Sequence, residues 1–205
     1  MALTTGLVLV AVGYLCGAIP SGVLLTRSAG IDVRRSGSGN IGATNVARAA
    51  GTRLGLITLA ADVVKGIVPV AVARYVAGGE VIPAATGLAA FLGHLFPPTL
   101  GFAGGKGVAT ALGVSLTLYP LATVVTIGAF AVTLTLWRWV SLASMIAAAL
   151  APLAILAIGG YASVEVVTAT TMAALIVIRH HDNIRRMLAG TEPKVLPKKQ
   201  ATPVK

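Results

Sequence analysis

Long uncharged stretches alternate along this chain with short segments that carry its charges. No Asp, Glu, Lys or Arg occurs in residues 1–26, 81–105, 107–137 or 139–164. A helix of roughly 20 apolar residues crosses a bilayer, and backbone in lipid must satisfy its own hydrogen bonds. The pattern therefore predicts an all-α, polytopic integral membrane protein.

Seven transmembrane helices are predicted, two of them short. The two short helices divide one uncharged stretch at Tyr119-Pro120, where proline interrupts a helix. A single long, kinked helix is the alternative for that stretch. The predicted spans are about 3–26, 53–77, 81–97, 107–119, 121–137, 140–158 and 161–178.

The distribution of basic residues favours seven spans over six. The chain has 16 Lys and Arg against 6 Asp and Glu. With seven spans and the N-terminus outside, every basic residue except Lys65 and Arg74 lies on the cytoplasmic side, as the positive-inside rule requires. With six spans, Arg138 and the C-terminal basic residues would move outside. We therefore expect an outside N-terminus and a cytoplasmic C-terminus.

Composition excludes several classes of protein. Charged residues make up 11% of the chain, against about 25% in soluble domains. The first segment lacks a basic n-region, so we expect a retained helix rather than a signal peptide. One cysteine excludes an internal disulfide, and charges spread over short loops with few aromatic residues argue against nucleic-acid binding. We expect one membrane domain over residues 1–192 and a basic, flexible cytoplasmic tail over 193–205.

Two glycine-rich segments fall on the predicted cytoplasmic side. Residues 36–45 form a Gly/Ser loop flanked by arginines, which can turn successive N–H groups inward as an anion nest; a flexible linker is the alternative. Residues 104–107 place Lys106 between glycines, which suits a phosphate, although a simple turn is also possible. This segment lacks the Ser/Thr and the preceding strand of a nucleotide-binding P-loop, so nucleotide hydrolysis is rejected.

Two further polar segments fall on the same side. Residues 138–144 open the sixth span and contain Ser141 and Ser144, of which Ser141 could be an ordinary N-cap. Residues 179–186 close the seventh span and contain the adjacent His180 and His181. Adjacent helical residues point in different directions, which disfavours a metal site, and a basic surface tail is the alternative.

The predicted topology brings these segments together. Spans two, four and six all begin at the cytoplasmic face, and helix N-termini carry unpaired N–H donors and about half a positive charge. With Arg48, Lys106 and Arg179 nearby, we expect a polyanion site at the membrane surface. Deeper in the second span, Asp62 and Lys65 share one helix face and are expected to form a structural ion pair.

Three motifs run in order along nearly the whole chain. They are Ser36-x-Ser38-Gly39-Asn40-x-Gly42-Ala43-Thr44-Asn45-x-x-Arg48, then Gly104-Gly105-Lys106-Gly107 preceded by Gly93-His94-x-Phe96-Pro97, and His180-x-x-Asn183-Ile184-x-Arg186-x-x-x-Gly190-x-Glu192. Together they resemble the motifs of the bacterial acyl-phosphate:glycerol-3-phosphate acyltransferase (PlsY) family.

The resemblance implies a fatty acyl transfer from acyl phosphate to the 1-hydroxyl of glycerol 3-phosphate. The products would be lysophosphatidic acid and phosphate, in the first step of membrane phospholipid synthesis. It also implies a bacterial inner-membrane enzyme with a cytoplasmic active site, needing no metal or cofactor and having the enzyme that makes acyl phosphate as a candidate partner. An anion or lipid transporter with a cytoplasmic phosphate site is the alternative function.

The resemblance also implies roles for individual residues. The acyl-phosphate head group would be held by Ser38, Gly39, Asn40, Gly42, Thr44 and Asn45. Glycerol 3-phosphate would be held by Arg48, Lys106, Ser141 or Ser144, His180 and Asn183. Asp62, Lys65 and Glu192 would give structural support. His180, Ser38, Asn183 and Lys106 are the candidate catalytic residues. Either His180 or a substrate phosphate would take the proton, and a covalent role for Ser38 is the weaker option because no base is paired with it.

Overall fold

The computed structural model describes residues 2–195, and in that part of the chain the regular structure is helical with no strand. Two 3₁₀ turns, Val33–Arg35 and Pro98–Leu100, accompany the α-helices. The α-helices are α1 Ala2–Gly17, α2 Ser21–Arg27, α3 Ala43–Ala50, α4 Thr52–Ala77, α5 Val81–Leu95, α6 Val108–Leu118, α7 Pro120–Trp137, α8 Val140–Ile158, α9 Ser163–Arg179 and α10 His181–Leu188.

Each of the seven predicted spans corresponds to helix, so the helical membrane class is confirmed. Five helical segments of residues 2–195 are long and apolar enough to cross a bilayer, and α9 with α10, bent by 54°, would make a sixth. At 11 residues, α6 is too short to cross alone. The first span differs from a continuous helix, because α1 and α2 are separated at residues 18–20, where Pro20 lacks an N–H donor. The number of crossings and the orientation stay predictions.

The uncharged stretch after Lys106 divides where the sequence predicts. Tyr119, at φ −140° and ψ 68°, lies outside the helical region between α6 and α7. The residues on either side of this helix pair, Lys106 and Val140, line one cavity. A continuous helix would hold them about 50 Å apart at 1.5 Å per residue. The chain therefore reverses at Pro120, and the single kinked helix is excluded.

Close backbone contacts at glycines hold the helix pairs together. A Cβ atom added to Gly17 of α1 would lie 1.8 Å from the Ala90 carbonyl oxygen of α5. Between α4 and α6, a Cβ on Gly66 would lie 2.3 Å from the Thr110 oxygen, and one on Gly113 would lie 2.1 Å from the Val63 oxygen. Small residues at such contacts are typical of membrane helices, because dispersion and close approach replace the hydrophobic effect there.

Arg74, in the last turn of α4, binds the C-terminal end of α6. The Arg74 guanidinium donates to the Thr117 carbonyl oxygen at 2.6 Å and to Glu80 Oε2 at 3.1 Å. It also lies 3.7 Å from Glu165 Oε1 of α9. Because the last carbonyl groups of a helix have no intrahelical partner, the arginine stabilises the end of α6 and ties it to its neighbours.

The last described residues dock on the junction between α7 and α8. The Val195 N–H donates to the Arg138 carbonyl oxygen at 2.8 Å, and Arg138 Nε returns a bond to the Val195 oxygen at 3.2 Å. Lys194 Nζ lies 5.9 Å from the centre of the Trp139 ring. The flexible tail predicted from residue 193 is therefore docked at residues 194 and 195, and residues 196–205 lie outside the described part.

We predict that Gly113→Ala lowers the thermal unfolding temperature of the detergent-solubilised protein. The new methyl group would meet backbone of α4, so the helices must separate, and overpacking of this kind costs about 1–3 kcal/mol. Gly128→Ala in α7 is the matched control, because a Cβ there meets nothing within 4 Å. The control should unfold at or above the wild-type temperature. An unchanged unfolding temperature for Gly113→Ala would contradict the close packing of α4 and α6.

Candidate active site

One cavity of about 480 Å³ collects the polar segments from all four parts of the chain. It has a polar end and an apolar trough. The polar end is lined by Ser38, Asn40, Gly42, Thr44, Asn45, Arg48, Asp62, His94, Lys106, Ser141, Ser144, His180, Asn183 and Glu192. Of the residues predicted to form or support the site, Gly39, Lys65 and Arg179 do not line it. The structure therefore brings the predicted residues together at one end of the bundle.

The apolar trough runs between α6, α7 and α8. Its walls include Leu112 and Ser115 of α6, Thr126, Ile127 and Phe130 of α7, and Ala147, Ala148 and Ala151 of α8. The trough follows α6 over about 10 Å, from Val108 to Ser115 at 1.5 Å per residue. The hydrocarbon core of one leaflet is about 15 Å thick. A cavity with this division fits an amphiphile that has an anionic head and an acyl chain. The contribution of α7 to the trough was not predicted, since the sequence of α7 indicates only an apolar span.

Asn45 shapes the glycine-rich loop. Its side chain is buried, and Nδ2 donates to the carbonyl oxygens of Val33, Ser36 and Asn40 at 2.9–3.1 Å. Its Oδ1 accepts from the Ser38 N–H at 2.9 Å. The amide of Asn45 is therefore used by the loop itself, and we assign it to holding the loop rather than to a direct head-group contact.

The loop turns through left-handed glycines and ends on α3. Gly37 and Gly39 have φ values of 59° and 71°, and a Cβ on Gly37 would lie 2.3 Å from Asn45 Oδ1. Asn40 Oδ1 accepts from the Gly42 N–H at 2.8 Å. Helix α3 then starts with no side-chain cap, and the Asn45 N–H donates to the Gly42 carbonyl oxygen at 3.0 Å, which leaves the N–H groups of Ala43 and Thr44 for a ligand. Thr44 and Arg48 lie one turn apart on the cavity side of this helix.

Glu192 joins α8 and α10 at the polar end. Its Oε1 accepts from Ser141 Oγ of α8 at 2.7 Å and from Asn183 Nδ2 of α10 at 2.6 Å. Its Oε2 accepts from Arg186 Nε at 2.7 Å. Burial favours the neutral acid, but the bonds from Asn183, Ser141 and Arg186 outweigh it and lower the pKa of Glu192 below its usual value. The carboxylate therefore stays charged and fixes the direction of Asn183.

Lys106 reaches the same group of residues. Its Nζ donates to Asn183 Oδ1, so the two ends of the Asn183 amide are held by Lys106 and Glu192. Burial lowers the pKa of Lys106 to about 8, against the favourable charge of Glu192. Most of the lysine is still charged at neutral pH, and an arriving phosphate would stabilise that charge further.

His180 is buried in the corner between α9 and α10. Its Nδ1 lies 2.7 Å from the Ile176 carbonyl oxygen, which can only accept, so Nδ1 carries the proton and Nε2 is free of it. Burial, followed by the charge of Lys106, lowers the pKa of His180 to about 4. The imidazole is therefore neutral at physiological pH and offers a lone pair.

The predicted ion pair of Asp62 and Lys65 is present beneath the site. Lys65 Nζ lies 2.9 Å from Asp62 Oδ1 and donates to the Ile19 carbonyl oxygen at 2.9 Å, at the break between α1 and α2. His94 Nδ1 is buried 3.9 Å from the same carboxylate oxygen. The two serines have different partners: Ser141 Oγ donates to Glu192, whereas Ser144 Oγ, within residues 2–195, donates only to the Val140 carbonyl oxygen of its own helix at 2.8 Å.

Known proteins are similar to this chain over nearly its whole length. The family model described as glycerol-3-phosphate acyltransferase matches residues 7–190. Proteins named glycerol-3-phosphate acyltransferase from Geotalea daltonii and Geobacter sulfurreducens are 48% and 47% identical, over 93% and 91% of this chain and 97% and 95% of theirs.

Two crystal structures of PlsY, an integral membrane glycerol 3-phosphate acyltransferase, are also similar. They represent its glycerol 3-phosphate form and its lysophosphatidic acid form, with TM-scores of 0.89 and 0.87. Both are 39% identical to this chain and cover 94% of it, with 96% of the PlsY chain covered.

We predict that Glu192→Gln destabilises the protein in a pH-dependent way. A hydrogen bond to a charged group contributes about 2 kcal/mol, and the neutral amide weakens several of them. Because the folded-state pKa is lowered, the stabilisation is complete above the unfolded carboxyl pKa of about 4.3 and is lost as pH falls through the folded pKa. Thermal unfolding from pH 3 to pH 8 should show a wild-type advantage that shrinks at the acid end. Asp182→Asn, at an exposed position of α10, is the control and should show little difference. An advantage that is constant with pH would contradict the role of the charge.

Proposed function

The chain belongs to the glycerol-3-phosphate acyltransferase family, and from that premise we propose that its acyl donor is an acyl phosphate and that its active site faces the cytoplasm. The protein is an integral membrane acyltransferase that acylates glycerol 3-phosphate to lysophosphatidic acid. The observation that carries the donor assignment is one cavity in which a polar end, lined by residues from four segments of the chain, continues into an apolar trough. In the proposal the polar end holds the two phosphates and the trough holds the acyl chain.

The donor head group would occupy the loop side of the polar end. Ser38, Asn40 and Thr44 supply polar side chains there, and the first turn of α3 supplies N–H groups. Gly39 and Gly42 allow the backbone to approach, while Asn45 keeps the loop in shape. The acyl chain would follow the trough between α6, α7 and α8, which supports entry of the donor sideways from the bilayer.

Glycerol 3-phosphate would occupy the other side of the polar end. Arg48, Lys106 and Asn183 surround this region with positive charge and amide donors. Of the two serines, we propose Ser144 as the contact, because a hydroxyl bonded to its own helix carbonyl can turn to a phosphate more cheaply than one bonded to a carboxylate. Ser141 then belongs with Glu192 to the support of Asn183.

The reaction needs a modest contribution from the protein. The 1-hydroxyl oxygen of glycerol 3-phosphate attacks the acyl carbonyl carbon, an ester bond forms, and the bond from that carbon to the phosphate oxygen breaks. The phosphate leaves with the electron pair, and the hydroxyl proton ends on a phosphate oxygen. Fixed positive groups stabilise the developing charge and hold the reactants together.

We assign His180 to orienting the hydroxyl rather than to storing its proton. Its unprotonated Nε2 can accept the hydroxyl hydrogen, but a group with a pKa of about 4 is a weak base. A phosphate monoester with a second pKa of about 6 is the better proton acceptor. Ser38 has no hydrogen-bonded base among the described residues, so a covalent acyl-serine is not part of the proposal.

The proposed setting is a bacterial inner membrane, with the basic loops on the cytoplasmic side. An enzyme that makes acyl phosphate is the natural partner, because mixed anhydrides hydrolyse and direct delivery would protect them. Residues 1–192 would form the catalytic membrane domain, and the following basic tail would lie in the cytoplasm.

We predict that the purified protein in detergent makes lysophosphatidic acid from glycerol 3-phosphate and acyl phosphate, without metal or cofactor. Acyl-CoA offered as the donor should give no product above background. Because detergent removes the two compartments that a transporter needs, turnover there separates the enzyme from a carrier. Product formation from acyl-CoA alone would overturn the donor assignment.

We predict that His180→Gln lowers kcat by about tenfold and leaves the acid limb of the pH-rate profile in place. Loss of a general base would cost more, about 10²–10⁴-fold. The control is His181→Gln on the exposed neighbour, whose side chain is 61% exposed. A loss of 10³-fold together with disappearance of the acid limb would instead identify His180 as the base.

A further inference from the structure

The turn that carries Lys106 is bonded through its backbone on one side to the end of α5. The Gly104 N–H donates to the Leu95 carbonyl oxygen at 3.1 Å, and the Gly105 N–H donates to the His94 oxygen at 3.1 Å. A Cβ on Gly105 would lie 2.1 Å from His94 Nε2. The turn is therefore packed directly against α5, and the N–H groups of Gly104 and Gly105 are not available to a phosphate.

Arg179 holds the other side of the same turn. Its Nη2 donates to the Gly104 carbonyl oxygen at 2.8 Å, and its Nε donates to the Gly105 oxygen at 3.2 Å. The guanidinium also lies 5.8 Å from the centre of the Phe96 ring. In residues 2–195, no carboxylate lies within ion-pair distance of it. Its planar group spans two successive carbonyls, which a lysine ammonium cannot reproduce.

The same corner of the chain holds both ends of the Lys106 side chain. Arg179 is the last residue of α9 and holds the backbone just before Lys106, whereas Asn183, in the first turn of α10, accepts a hydrogen bond from the Lys106 ammonium. His180 lies between these two contacts and lines the cavity. A shift of this corner relative to the turn would therefore move Lys106 and His180 apart.

We propose that Arg179 is a positioning residue that sets the distance between Lys106 and the His180–Asn183 pair by gripping the two peptide carbonyls before Lys106. The proposal rests on the proposed role of Lys106 in binding glycerol 3-phosphate. It also changes the expectation that Arg179 adds its charge to the anion site, because its donors are used by backbone and it does not line the cavity.

The pKa of Lys106 depends on whether Arg179 holds the turn against the cavity. The titratable or charged groups that face it come from every element around the polar end: Arg48, Asp62, His94, His180, Asp182, Arg186 and Glu192. Burial is the main cause of its lowered pKa. A looser turn would let water reach Lys106, and its pKa would rise towards the usual value. Because the charged lysine binds phosphate, activity falls above its pKa, so the basic limb of kcat/KM would move to higher pH.

The test is Arg179→Lys in the full-length protein, assayed in detergent with glycerol 3-phosphate and acyl phosphate. The charge is kept and the two-carbonyl grip is lost. We expect kcat/KM for glycerol 3-phosphate to fall about 10–100-fold, since displacements of about 1 Å have effects of that size. The KM for acyl phosphate should stay within twofold, and the basic limb should move up by at least half a pH unit.

Arg74→Lys is the matched control. Arg74 also bonds a backbone carbonyl of α6, but at the end of that helix opposite to Lys106 and the polar end of the cavity. The Arg74→Lys variant should have a lower unfolding temperature, with both KM values and the basic limb of the kcat/KM profile unchanged. A merely structural role for Arg179 predicts the same pattern as Arg74→Lys.

A second variant, Phe96→Leu, keeps the proposal testable should Arg179→Lys fold poorly. Phe96→Leu removes the ring beneath the guanidinium and keeps its hydrogen bonds, so it should give a smaller shift of the basic limb in the same direction. Unchanged limbs and KM values in these variants, with an active wild-type enzyme, would overturn the role of Arg179. An inactive wild-type enzyme would instead overturn the proposed function.

Discussion

Phosphate charge can lie beside hydrocarbon only where positive groups and N–H donors are already fixed. An isolated charge taken out of water costs several kcal/mol, and a flexible lysine would lose much of its attraction in being ordered. In this protein the Lys106 side chain and its surroundings are held by other parts of the chain. Asn183 receives Lys106, Glu192 receives Asn183, Ser141 and Arg186, and Arg179 holds the peptides before Lys106. The anion site therefore exists before its ligands arrive.

The short length of α6 follows from where this site lies. Gly66 of α4 contacts Thr110 near the start of α6, while α4 itself begins at Thr52. The start of α6 is thus roughly 15–20 Å along the axis of α4 at 1.5 Å per residue. A full-length α6 would fill the space that the polar segments occupy. Glycine contacts let α4 and α6 stay close at that depth, and Arg74 secures the far end of α6 in compensation for its few turns.

Local features of the sequence predicted the positions of the helices and of the chain reversal well. Uncharged runs located the helices, and Pro120 located the reversal between α6 and α7, because both signals act within a few residues. The spacing of Asp62 and Lys65 likewise predicted a pair on one helix face. The glycine-rich loop, the Lys106 turn and the His180 corner were expected to meet, since positive-inside topology placed them on one side.

Side-chain partners distant in sequence could not be predicted. Ser141 and Glu192 are 51 residues apart, and Arg179 bonds carbonyls 74 and 75 residues away. No spacing rule connects them, because the contact depends on how α5, α8 and α9 pack. Asn45 looked like a head-group ligand beside polar neighbours, yet the loop uses its amide. Polar residue type indicates hydrogen-bonding capacity, whereas only the packed structure shows whether that capacity is already used.

The electrostatics of the polar end fit a mixed-anhydride donor better than a thioester donor. Burial, followed by the charge of Lys106, lowers the pKa of His180 and weakens it as a base. Arg48 and Lys106 together favour the binding of phosphate. A thioester would bring no phosphate to the reacting carbon to use that positive charge. An acyl phosphate brings a leaving group that is stabilised by the same charge as its bond breaks. In the proposed reaction, the positive charge of Lys106 that lowers the pKa of His180 also stabilises the departing phosphate, so charge placement rather than a strong base carries the chemistry.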